Sequence, residues 1–81
     1  MEREEVIKKV TEILLKYSKS DLKADDVTEK TTLLEDLSIN SARLVDIILD
    51  FEDVFNIQVE DADADSVNTL GDSVDLILKK L

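Results

Sequence analysis

The chain has 81 residues, with 20 Asp+Glu against 10 Lys+Arg for a formal charge of -10, one glycine, and no proline, cysteine or histidine. Lacking thiol and imidazole, it has none of the usual nucleophiles, bases or zinc ligands, so no enzyme is expected and no catalytic or metal-binding residue is assigned. The negative balance repels nucleic acid and anionic membrane surfaces, and it points to a cytoplasmic monomer whose protein partners carry basic patches.

The opening MEREEV is too charged for a secretory signal, and no apolar run reaches the roughly 20 residues of a membrane span. From Glu2 to Tyr17, Val6, Val10, Ile13, Leu14 and Tyr17 recur at three- and four-residue intervals, which predicts a helix with one buried stripe. Glu4/Lys8, Glu5/Lys9 and Glu12/Lys16 are ordered as favourable i,i+4 pairs. A long polar connection, Ser18 to about Thr32, carries Leu22 and Val27 as isolated anchors and leads to Leu33, Leu34 and Leu37, read as a short packed turn. A loop of that length is expected to have a role of its own.

A second helix starts near Asn40 or Ser41, both good N-cap residues, and runs to about Phe55-Asn56. Leu44, Ile47, Ile48, Phe51 and Phe55 gather on one side of it, and Asp46, Asp50 and Asp53 on another. Val45 and Leu49 fit neither face: they are the rim of a wide core stripe or an exposed apolar ridge. After Ile57 and Val59, EDADADS holds one short helical turn; Asn68 or Thr69 then caps a last helix with Leu70, Val74, Ile77, Leu78 and Leu81 on one face. Lys79 and Lys80 suit its negative end. The expected fold is all-α, a small bundle of three main helices plus one short helix, forming a single domain over residues 1–81.

This order of parts, with the stretch EDLSINSARLVDIILDFEDVFNIQVED, resembles the acyl carrier proteins and the related peptidyl and aminoacyl carrier domains over nearly the whole chain. Members usually read Asp-Ser-Leu at the modified site after a leucine-glycine pair; here Asn40-Ser41-Ala42 follow Leu37-Ser38. The resemblance implies that Ser41 receives 4'-phosphopantetheine from coenzyme A through an external phosphopantetheinyl transferase. Acyl groups would then ride on the arm as thioesters between enzymes of fatty acid, specialised lipid or secondary-metabolite synthesis. Read alone, Ser41 is an N-cap; the match over the whole chain favours attachment. A phosphodiester there is expected to meet free backbone N–H groups and the positive end of the helix dipole.

Asp46 and Asp53 match acidic positions of the family and Val45 and Leu49 its apolar contact positions, so all four are expected to bind partners. Asp50 joins them from the helical wheel alone. Arg43 stands where the family usually has an acid, a reversal expected to alter partner choice. An acyl chain is expected to enter between the helices among Leu44, Ile48, Phe51, Val59, Val67 and Leu76. Ala42 replaces the motif leucine, Glu60 a common proline, and Ser38 a common glycine, a change expected to alter the turn before the helix. These departures point to a specialised carrier. A peptidyl or aminoacyl carrier and a never-modified, carrier-like interaction domain are the alternatives. Weaker still is an EF-hand-like calcium loop in DADADSVNTLGD, where Asp61, Asp63 and Asp65 have ligand spacing but Ser66 and Asp72 replace the needed glycine and glutamate.

Overall fold

The computed structural model describes residues 1–81 and contains four helices: α1 (Arg3–Tyr17), α2 (Leu44–Phe55), α3 (Asp61–Asp65) and α4 (Leu70–Lys80). Single 3₁₀ turns form at Ala24–Asp26 and Ser41–Arg43. No strand is present beyond an isolated antiparallel bridge between Thr32 and Thr69. The expected all-α bundle is the observed one.

α1 turns Val6, Val10, Ile13 and Leu14 inward, with Glu4 and Glu5 at its positive end and Lys16 at its negative end. None of the three expected i,i+4 pairs closes along it; Lys16 reaches across to Asp50 of α2 instead. Exposed pairs of that kind are worth only about 0.2–0.5 kcal/mol, so a better partner elsewhere wins. α2 buries Ile47, Phe51 and Phe55, the two rings meeting edge to face at 6.4 Å and 65°. It stops at Asn56, whose left-handed backbone (φ 54°) turns the chain so that Ile57 N–H donates to the Glu52 carbonyl at 3.2 Å. α4 begins with a reciprocal cap: Asp72 N–H donates to Thr69 Oγ1 at 3.1 Å, and Thr69 N–H donates to Asp72 Oδ2 at 3.0 Å. α1 lies mainly against α4 and α2, and their inward faces share one core with Leu33, Leu37, Ile39 and Ile57.

The α1–α2 connection is tied down at several points. Ser18 Oγ and Lys19 N–H both donate to the Leu37 carbonyl, at 2.8 and 3.1 Å. Leu33 N–H donates to Asn68 O at 3.0 Å, and Leu70 N–H to Thr31 O at 2.9 Å. Leu22 and Val27 pack half-buried against the core as the expected anchors. Ser38 adopts φ 54°, a left-handed conformation that glycine takes up more readily than serine. Buried Ile39 follows at once, its N–H donating to Leu33 O at 3.1 Å.

Gly71 shows how closely this connection meets α4. Its N–H donates to the Glu29 carbonyl at 2.9 Å, and a Cβ at this position would sit 2.9 Å from that same oxygen and 3.2 Å from Glu29 Cβ. In an open helix, alanine gains about 1 kcal/mol over glycine. Here the two backbones must part, so Gly71→Ala should lower stability by about 1–3 kcal/mol. The readout is the midpoint of urea unfolding; an unchanged or higher midpoint would mean that the loop yields freely.

Candidate functional site

Ser41 opens the 3₁₀ turn that leads directly into α2, two residues after the buried anchor Ile39. The cap belongs to its neighbour: Asn40 Oδ1 accepts from Ala42 N–H at 2.9 Å, and the Asn40 carbonyl accepts from Arg43 N–H at 2.8 Å. The Ser41 side chain is exposed and makes no hydrogen bond within the chain. Of the N–H groups expected to await an anion here, that of Ser41 itself is unbonded and the next three are engaged. Ala42 and Arg43 donate to Asn40, and Leu44 N–H donates to the Ser41 carbonyl. A negative group on Ser41 is favoured by the positive end of the helix, where the Ser41 N–H is the one donor of the turn left open.

A cleft of about 640 Å³ opens beside Ser41 between α2 and the α3 segment. Four of the six residues expected to receive an acyl chain line it: Leu44, Ile48, Val59 and Val67. Phe51 and Leu76 do not. Phe51 lies roughly 60° round α2 from Ile48 and is fully buried in the core against Phe55, and Leu76 is buried on α4 away from the cleft. Val45 and Leu49 line it too, and Leu34 and Glu52 are among the wall residues with no signal in the sequence. Leu34, read there as part of a packed turn, is 45% exposed and faces the cleft with Ser41. Glu52 lines the cleft and accepts Val59 N–H on Oε2 at 3.0 Å, holding the segment after α2 against the helix. α3 buries none of its own residues and is held at its middle by the ion pair of Asp63 with Lys80, at 2.9 Å.

The outer face of α2 resolves the ambiguity over Val45 and Leu49. They are 66% and 56% exposed, an apolar ridge beside Asp46 and Asp53 rather than the rim of the core. Val54, 46% exposed further round the helix, belongs to no pattern legible in the sequence. Asp50 is a correction: it is not a free surface acid. Tyr17 Oη donates to its Oδ2 at 2.8 Å and Lys16 Nζ to the same oxygen at 3.2 Å, tying α2 to α1. Arg43 pairs with Asp46 at 3.0 Å, the arginine mostly and the aspartate partly in solvent.

The Tyr17 hydroxyl, helped by Lys16, holds the Asp50 carboxyl below its ordinary range. Because the folded value is the lower one, the stability it contributes is present above the unfolded carboxylate value, about pH 4, and is lost as pH falls through the folded value. Melting midpoints of the wild type and Asp50→Asn should therefore differ at neutral pH and converge in acid. A gap that persisted unchanged at low pH would show that the tie does not need the charge.

Asp61, Asp63 and Asp65 lie along the single short helix α3, and Asp63 is engaged by Lys80. They do not form an EF-hand loop.

A helical bundle whose exposed serine overlooks an apolar cleft, beside an acidic helix bearing an apolar ridge, has the form of a carrier domain, made to present a group rather than to transform one. Residues 8–77 match the family model described as a phosphopantetheine attachment site. The acyl carrier protein of Thermotoga maritima is 42% identical over 79 residues, covering 98% of this chain and 95% of the relative. That of Lactobacillus acidophilus is 34% identical over 95% of this chain and 94% of its own length. The structure of the acyl carrier protein from Enterococcus faecalis superposes with a TM-score of 0.84 at 34% identity, covering 100% of both chains. The chain belongs to the acyl carrier protein family. Its members are carriers, not catalysts; their prosthetic group is 4'-phosphopantetheine, and they work with phosphopantetheinyl transferases and acyl-handling enzymes. No helix here is long and apolar enough to cross a membrane.

Proposed function

We propose that residues 1–81 form one cytoplasmic carrier domain, with Ser41 bearing the arm and the outer face of α2 docking on enzymes that load, modify and unload its acyl cargo. The observation that carries this reading is the division of labour at the start of α2. Asn40 does the capping, which leaves the Ser41 hydroxyl exposed, unbonded and on the rim of the cleft. The residues present fit the prosthetic group, since the hydroxyl is open to an external transferase and the helix end favours the phosphodiester. The neighbouring Asn40, Ala42 and Arg43 offer no side chain of the type that serves as a general base, so activation of the hydroxyl falls to the transferase. When bound, the arm supplies a thiol on which acyl groups are held as thioesters.

Docking falls to Val45 and Leu49 as an apolar contact, with Asp46 and Asp53 meeting basic residues and Arg43 at the edge nearest Ser41. Asp50 is left out because α1 already engages it. Such contacts are salt-sensitive and transient, suited to a carrier that must leave each enzyme after use. Leu44, Ile48, Val59 and Val67 offer the acyl chain an apolar wall, at about 0.8 kcal/mol for each methylene buried. The names of the relatives support acyl over peptidyl cargo. Ala42 and Arg43, placed against Ser41 itself, favour a dedicated lipid or secondary-metabolite pathway over bulk fatty acid synthesis.

Incubation of the chain with coenzyme A and a broad-range phosphopantetheinyl transferase, followed by intact mass spectrometry, tests the proposal. One arm per chain is expected, and one thiol per chain with it, since the protein has no cysteine of its own. Retention of the bare mass with an active transferase would sink it.

A further inference from the structure

Arg43 is the only basic residue between Lys30 and Lys79, in the acidic half of the chain that holds α2, α3 and the cleft. It stands two residues after Ser41, inside the 3₁₀ turn, with its side chain 62% exposed. Ala42, between them, is exposed and offers only a methyl group, which leaves room for a partner's side chain to approach the guanidinium beside the serine. The one ion pair that Arg43 makes, to Asp46 at 3.0 Å, is itself largely in solvent. A pair so exposed is weak, so it holds the guanidinium loosely and gives it up to a better-placed carboxylate.

Resting on the carrier reading above, we infer that Arg43 is a specificity-determining residue. It selects protein partners whose docking face is basic opposite Asp46 and Asp53 but presents a single carboxylate opposite the turn that carries Ser41. A uniformly basic face meets Arg43 as a like charge at the point of closest approach, where the cost is greatest. A face with one acid there forms a bidentate pair with the guanidinium and also releases Asp46 for a basic neighbour. The sign pattern along the docking edge is then positive at Arg43 and negative at Asp46 and Asp53, with the Val45 and Leu49 ridge beside it. Such a pattern can be read in only one register. Arg43 touches the partner and not the reacting hydroxyl.

The test uses the intact chain and a broad-range phosphopantetheinyl transferase with a basic docking face. Wild type, Arg43→Gln and Arg43→Asp carriers are each modified by the parent transferase and by variants in which its basic face residues are changed one at a time to glutamate. With the parent enzyme, Arg43→Asp should be modified about tenfold faster than wild type in kcat/KM. One glutamate variant should invert that order, favouring wild type over Arg43→Asp by about tenfold, with Arg43→Gln between them. Circular dichroism before the assay confirms that all three carriers are equally folded. If Arg43 merely screened Asp46, every glutamate variant would act on the three carriers in the same proportion, and that result overturns the inference while leaving the carrier reading intact. Failure of every carrier to be modified by any transferase takes down both.

Discussion

Ser41→Ala should gain no mass from coenzyme A and show no thiol, yet unfold within about 0.5 kcal/mol of the wild type. The contrast follows from what the hydroxyl does in the folded chain, which is nothing: it is exposed and unbonded, while Asn40 closes the turn through its side chain and its carbonyl. Removing it deletes an attachment point without removing a stabilising contact. Asn40→Ala should behave in the opposite way. It gives up the cap on Ala42 N–H, costs about 1 kcal/mol, and still accepts the arm. Intact mass and urea midpoints of the two variants, measured side by side, separate a modified serine from a structural one. If Ser41→Ala instead took up the arm on Ser18, Ser20, Ser38, Ser66 or Ser73, the site would have to move.

Phe51→Ala should be the most destabilising single truncation in α2, with a loss of about 3–5 kcal/mol. Phe51 is fully buried, packs edge to face on Phe55, and belongs to the core shared by α1, α2 and α4. A domain of this length has a total stability of about 4–12 kcal/mol, so the variant gives up a quarter of it or more. Ile48→Ala, one turn away and half-buried on the cleft wall, should cost less and instead reduce the rise in melting midpoint that a long acyl chain confers on the loaded protein. The pair of measurements distinguishes core from cleft on a single helix. A Phe51→Ala protein that kept its midpoint but lost the acyl-dependent rise would return Phe51 to the cleft.

The helices were legible because their signal is local. Apolar residues three and four apart, a polar opposite face, and Thr69 with Asp72 at the start of α4 all lie within a turn or two of one another. The same periodicity located Val45 and Leu49 off the core face of α2, though it could not say whether they met water. The long connection declared itself by length, but not by what held it: its ties run to Leu37, Asn68 and the backbone N–H groups of Leu70 and Gly71, none of which has a distinctive sequence pattern.

By itself the sequence determined the helical bundle, the absence of thiol and imidazole chemistry, the acidic face and the candidate serine, since each depends on residue type or on spacing along one element. Only the tertiary structure decided which acid on α2 is free. Asp46, Asp50 and Asp53 look alike on a wheel, yet Asp50 meets the hydroxyl of Tyr17, 33 positions away, because α1 packs across that side of α2. It likewise separated Phe51 from Ile48, and Asn40 from Ser41. A carboxylate, a ring or a hydroxyl takes its role from the groups that pack or bond against it, and those groups arrive from distant parts of the chain.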